Sequence, residues 1–149
     1  MAKRTAIPRE MRRQISARAD SLCEYCLISE EDTFLGCHVD HIISVKHGGT
    51  TTIDNLAYAC VVCNRQKGSD LGSIDWKTRN LVRFFNPRQD RWSEHFALEK
   101  AKIIARTSIG EVTVRILGFN SDSQIIERQT LIDEKRYPSA AAVKRISGD

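Results

Sequence analysis

Four cysteines constrain this chain more than any other feature. They form two C-x-x-C pairs, Cys23-Glu24-Tyr25-Cys26 and Cys60-Val61-Val62-Cys63, separated by 33 residues. Each pair is a knuckle whose thiolates converge on one ion, and two knuckles complete a closed, tetrahedral zinc site. Such a site fixes two distant segments side by side before any other packing is considered. A disulfide framework is the competing reading, but an odd count of five cysteines argues against it. Cys37 is left over and reads as a small buried apolar residue.

The surrounding composition is that of an ordinary globular protein, with 41% hydrophobic and 28% charged residues in 149. No apolar run approaches the roughly 20 residues of a membrane span. The basic N-terminal stretch lacks the apolar segment of a secretory signal, so a cytoplasmic location is expected. Charge is unevenly distributed. Lys3, Arg4, Arg9, Arg12, Arg13 and Arg18 face only Glu10 and Asp20 in the first twenty residues. A second basic stretch contains Arg65, Lys67, Lys77, Arg79, Arg83, Arg88 and Arg91. Between them Lys46 is the only basic side chain in an acidic, His-containing centre. Two basic flanks around such a centre suit a polyanion gripped on either side of a metal site; two solvated helix faces explain the charges equally well.

Local patterns give a coarse order of elements. Pro8 to Asp20 reads as an amphipathic helix with Met11, Ile15 and Leu22 on one stripe. Residues 35–52 read as a hairpin around β-prone Val39, Ile42, Ile43 and Val45 and the turn at His47-Gly48-Gly49. A helix is expected over about 54–67, with Gly68 as its stop. Further on, Phe84 to Arg88 reads as an aromatic turn sealing the core. Trp92 to Ala105 fits either a helix or a strand pair. Ile109 to Phe119 fits a helix capped by Thr107 or Ser108, although Val112, Val114 and Ile116 also suit a strand. Ser123 to Tyr137 looks helical. We expect residues 1–72 to form the zinc-bearing core and 73–149 an extension packed on it, with the last dozen residues disordered.

The chemistry-bearing residues cluster between and just after the knuckles: His38-Val39-Asp40-His41-Ile42-Ile43, Gly48-Gly49, Asn55-Leu56, and Cys63-Asn64-x-x-Lys67. Phosphodiester hydrolysis needs a group that accepts a proton from water near neutral pH, and imidazole does so. It also needs a divalent cation, and a hard one such as Mg²⁺ prefers oxygen ligands. His41 offers the imidazole, Asp40 a carboxylate and Asn64 an amide oxygen. Cys63 would fix Asn64 through the zinc site.

The order C-x-x-C, x-D-H-I, G-G, N-L, C-x-x-C-N-x-x-K over residues 20–68 resembles the HNH (ββα-metal) endonucleases in their four-cysteine zinc-bearing form. The resemblance implies an α+β fold with a ββα-metal core, a structural zinc site and flanking helices. It implies His41 as general base, Asn55 as a brace of the loop that orients the base, and Asp40 and Asn64 as ligands of a catalytic Mg²⁺ or Mn²⁺. The strip is also similar to the nuclease domain of RNA-guided nucleases and to phage Holliday-junction resolvases, which share a His at the place of His38. For His38 itself, phosphate contact, supporting group and bystander stay open. Where the family often has Pro shortly after Asp-His-Ile, this chain has Ser44-Val45. The stretch Phe85-Asn86-Pro87-Arg88, Trp92, His95-Phe96, Thr107, Gly110, Val114 resembles the tail of a group of small bacterial HNH proteins and brings no role with it.

The expected activity is therefore cleavage of DNA to 5′-phosphate and 3′-hydroxyl ends, with Arg12, Arg13, Arg65, Lys67, Arg79 and Arg83 as candidate phosphate contacts. One site cuts one strand, so a double-strand break needs two, which a homodimer would supply. A non-catalytic zinc-stabilised nucleic-acid-binding module would need only the cysteines and the basic flanks, and has no use for Asp40, His41, Asn55 and Asn64 together. A zinc hydrolase of small substrates would need an open zinc site, which four cysteines close.

Overall fold

The computed structural model describes residues 6–148, so Lys3 and Arg4 of the first basic flank lie outside the described residues. The fold is α+β, with three two-stranded antiparallel hairpins and six helices among those residues. Helix α1 (Arg9–Arg18) follows Pro8 at its N-cap. It buries Ile15, and Arg18 at its last turn donates to the carbonyls of Ile53 (2.9 Å) and Leu56 (2.6 Å). The helix is thereby tied to the strand that follows in the core.

Strands β1 (Cys37–His41) and β2 (Leu56–Cys60) pair antiparallel, with Cys37 opposite Cys60 and His41 opposite Leu56. Helix α2 (Val61–Lys67) continues directly from β2. This corrects the expected boundaries: the second strand is not before residue 52 but at Leu56–Cys60, inside the stretch assigned to a helix. The physical reason is burial. All five residues of β2 are buried, so the strand shows no polar alternation, and a short continuous apolar run does not distinguish strand from helix. The turn out of β2 is set by the second knuckle. Cys60 is the N-cap of α2, and its sulfur accepts from the Cys63 N–H at 3.5 Å.

The C-terminal half is built on an aromatic cluster. Phe96 lies 5.3 Å from Phe85, 5.1 Å from Trp92 and 5.6 Å from Phe119, centroid to centroid. Around it stand the hairpin β3 (Gly72–Ile74) and β4 (Leu81–Arg83), the short helix α3 (Trp92–His95), and the hairpin β5 (Phe96–Glu99) and β6 (Lys102–Ala105). The two readings of Trp92 to Ala105 thus resolve as one helical turn followed by a strand pair. Lys102 opens the second strand, exposed at the turn opposite Glu99. Helix α4 (Ser108–Ile116) is capped by Thr107, whose hydroxyl accepts from Gly110 N–H at 3.0 Å, and α5 (Asp122–Asp133) follows.

The described residues of this last stretch carry a helix where disorder was expected. Helix α6 (Ala140–Ser147) forms on an alanine-rich run, the best helix-forming composition, with the Ser139 hydroxyl accepting from Ala142 N–H at 3.2 Å. It docks where Arg145 reaches the Arg18 carbonyl at 3.1 Å and buries Ala142. No helix among the described residues is long and apolar enough to cross a membrane.

Candidate functional site

The two knuckles meet. Cys23, Cys26, Cys60 and Cys63 are all buried, and their sulfurs lie within 4.8 Å of one another. Four sulfurs bound at about 2.3 Å around one tetrahedral ion stand about 3.8 Å apart. The Cys26 and Cys60 sulfurs stand at that spacing, 3.8 Å apart, and the cluster is positioned like a zinc site. All five cysteines are free thiols. Hydrogen bonds within the cluster pull the Cys60 thiol far below its ordinary range and, with burial, push those of Cys26 and Cys63 up. Cys37 is buried near the cluster and outside it, and burial pushes its thiol up. The first knuckle is locked to the hairpin by Glu24, whose N–H donates to the Tyr58 carbonyl (2.8 Å) and whose carboxylate accepts the Tyr58 N–H (2.9 Å).

The site residues ride on this frame. His41 ends β1, half-buried, with Nε2 2.9 Å from the Thr51 hydroxyl. Between the strands, residues 42–55 form a long loop with two short 3₁₀ turns, Val45–His47 and Ile53–Asn55. Asn55 laces this loop: its amide oxygen accepts the Ile43 N–H (2.9 Å), and its amide nitrogen donates to the carbonyls of Ile43 (2.9 Å) and Thr50 (2.8 Å). Gly49 closes it. A Cβ there would stand 1.6 Å from the Ile43 carbonyl oxygen, so only glycine permits the approach.

Asp40 is buried beside α2. Its Oδ2 is 3.1 Å from Lys67 Nζ and accepts from the Tyr25 hydroxyl at 3.4 Å. Burial pushes the Asp40 carboxyl up, against the pull of Lys67 and Tyr25. Lys67 also donates to the His41 carbonyl at 3.0 Å. Asn64 is half-buried on α2, one residue past Cys63, and its side-chain amide makes no hydrogen bond to the described residues. His38 is exposed on β1 opposite Ala59.

The expected phosphate contacts divide. Arg65 and Arg79 are exposed. Arg13 pairs with Glu10 at 3.0 Å on the surface, and Arg12 reaches the Cys37 carbonyl at 3.5 Å. Lys67 is not on that surface: only 2% exposed, it is committed to Asp40 and His41. Its position follows from spacing, one helical turn after the inward-facing Cys63. Arg83 holds Asp90 with two parallel bonds, at 2.7 and 2.9 Å, so it is an ion-pair partner before it is a surface cation. Sequence reasoning missed Tyr25 and Thr51. The x-x of the first knuckle carried no signal for a buried phenol, and Thr51 becomes a neighbour of His41 only through the loop.

Two short strands and a helix, joined by a long laced loop and stapled by two cysteine knuckles, define the ββα-metal class. Residues 23–70, from the first knuckle cysteine to three residues past Lys67, match the HNH endonuclease family. The chain carries an HNH endonuclease domain with a four-cysteine cluster positioned like a zinc site. Neither the curated proteins nor the solved structures hold a match to it.

Proposed function

We propose that this chain is a metal-dependent endonuclease that hydrolyses DNA phosphodiester bonds with His41 as the general base. One observation carries the reading. An imidazole held by Thr51 and a laced loop stands next in sequence to a carboxylate anchored to the helix that the cysteine cluster fixes. His41 takes the proton from the attacking water, and the Thr51 hydroxyl orients its ring for that transfer. Asn55 keeps the loop, and with it Thr51, at a fixed distance from β1. Lys67 and Tyr25 both bind Oδ2 of Asp40, so Oδ1 is the oxygen that would hold a cation.

Oδ1 of Asp40 and the amide oxygen of Asn64 are the oxygens that would hold a hard divalent cation, Mg²⁺ or Mn²⁺. Such an ion, when bound, neutralises charge on the scissile phosphate and on the departing 3′-oxygen. Products then carry 5′-phosphate and 3′-hydroxyl ends. Arg12, Arg13, Arg65 and Arg79 supply phosphate contacts on the flanks. One chain nicks one strand, and a homodimer supplies the second site for a double-strand break.

The test is plasmid nicking with Mg²⁺, Mn²⁺ or EDTA, with wild type beside His41→Ala. We expect nicking with either ion and none with EDTA. His41→Ala loses roughly 10²–10⁴-fold in rate, the usual contribution of a general base, while zinc content and DNA affinity are kept. A His41→Ala protein that cuts as fast as wild type overturns the assignment.

A further inference from the structure

The β3–β4 hairpin begins five residues after α2 ends, and the catalytic reading gives it no task. Its tip, Asp75-Trp76-Lys77-Thr78-Arg79-Asn80, presents an indole that is 65% exposed, whereas the other tryptophan, Trp92, is buried. Trp76 is not a loose side chain. The guanidinium carbon of Arg115, on α4, lies 4.0 Å from its ring centroid and covers one face. Arg115 is itself fixed, donating through Nη2 to the Ile74 carbonyl (2.5 Å) and lying 3.5 Å from the Ser73 hydroxyl.

The tip is equally well held. The buried Asp75 carboxylate accepts the Lys77 N–H at 2.8 Å, and the Arg79 N–H returns to the Asp75 carbonyl at 2.7 Å. Arg79 takes φ +66° to close the turn. Asp75 is the only acidic residue from Gly72 to Gln89, so the exposed cations Lys77 and Arg79 flank the indole without exposed acids in this stretch. Ile74 and Leu81, a cross-strand pair, add exposed apolar surface.

A rigid aromatic ring backed by one cation and flanked by two others matches a nucleic-acid strand: a base stacks on the open face and phosphates meet the cations. A second copy of this chain would bring the same basic tip against itself, which like charges oppose. In a continuous duplex the base faces are buried in the stack, so stacking on Trp76 selects bases that are already unpaired.

We propose that the β3–β4 hairpin engages an unpaired stretch of the DNA substrate, with Trp76 stacking on a base and Lys77 and Arg79 holding the flanking phosphates. The enzyme accordingly prefers single-stranded or branched DNA to uninterrupted duplex. The proposal rests on the reading of the chain as a DNA nuclease.

The test measures binding by the full chain carrying His41→Ala, without Mg²⁺, so that cleavage plays no part. Three fluorescein-labelled DNAs are compared by anisotropy: a single strand, a continuous duplex, and a duplex with a central unpaired loop. We expect the looped duplex to bind more tightly than the continuous one. Adding Trp76→Ala should weaken the single strand and the looped duplex by roughly tenfold or more, and the continuous duplex by less than about twofold. Trp76→Phe should retain most of the affinity. Replacing Lys77 with Ala and Arg79 with Gly, which suits its positive φ, should weaken all three DNAs. Tryptophan emission should be quenched by the single strand, and the quench should vanish in Trp76→Phe.

Unchanged affinity in Trp76→Ala, an equal loss on all three DNAs, or the same quench in Trp76→Phe overturns the proposal. So does a Trp76→Ala protein that sediments as a smaller species than its parent, since the face then joins copies. Should Trp76→Ala lose its zinc or its fold, the Trp76→Phe comparison decides alone. Wild type that fails to nick plasmid removes the nuclease reading but leaves these binding results standing. A nicking enzyme with normal Trp76→Ala binding removes the hairpin proposal alone.

Discussion

Lys67 follows Cys63 by one helical turn, so the face that carries the cysteine into the cluster carries the lysine into the interior beside Asp40. A charge so deeply buried requires a partner, and removing one member of such a pair leaves the other uncompensated. Lys67→Met should therefore destabilise the protein by about 3–5 kcal/mol in denaturant unfolding. The double variant Asp40→Asn with Lys67→Met should regain much of that loss, because no unpaired charge then remains. A double variant as unstable as the single one would mean that Lys67 contributes packing rather than charge. Asp90 offers a contrasting pair. Burial pushes its carboxyl up, but Arg83 and the Asn86 N–H outweigh burial and hold it below the usual carboxylate range. A depressed carboxyl contributes stability that is present above its unfolded pKa of about 3.9 and lost as pH falls through the lower folded value. The stability gap between wild type and Asp90→Asn should be constant from neutrality down to about pH 5 and close in more acidic buffer. Because Arg83 is half-exposed, the gap should stay near 1 kcal/mol or less.

The loop between β1 and β2 has no repeating hydrogen-bond ladder, so its shape rests on particular contacts. Asn55 makes three of them, each worth about 1 kcal/mol net. Asn55→Ala should cost about 2–3 kcal/mol at most and slow cleavage more than it loosens the fold, with zinc content unchanged. Nicking rate beside metal analysis decides this, and wild-type cleavage by Asn55→Ala would remove the loop from the catalytic argument. These contacts also mark how far the sequence could be read. The cysteine spacing and the Asp-His pair needed only residue identity and order, and both point to the cluster and strand end seen here. The place of β2 was not legible, since five consecutive buried residues carry no alternation to betray a strand. Thr51 was not legible for a different reason: its approach to His41 depends on a loop path set by Gly49 and Asn55 rather than by any local propensity. Lys67 was legible in principle, from its spacing to Cys63, but its charge pointed to the surface. The helix at Ala140–Ser147 was hidden by the assumption that chain ends fray.

The cysteine cluster, positioned like a zinc site, joins the first knuckle to the second and to helix α2, which carries Asn64 and Lys67. Binding at such clusters is a large part of the folding free energy. Cys60→Ser should therefore give insoluble or unfolded protein, whereas Cys37→Ser, outside the cluster, should retain about one zinc per chain by elemental analysis. A soluble, folded Cys60→Ser protein without metal would show that the aromatic core suffices on its own. The knuckle is also held from the far end of the sequence. The Tyr137 hydroxyl donates to the Cys26 carbonyl at 2.8 Å across 111 residues, Arg136 holds Asp32, and Arg145 reaches the Arg18 carbonyl across 127. Translation delivers His41, Asn64 and all four zinc ligands long before these residues leave the ribosome. A chain that ends before residue 136 thus has His41, Asn64 and the four cysteines but lacks the clasp over its first knuckle. The first knuckle therefore completes its contacts only once residues 136–145 are available to fold back on it.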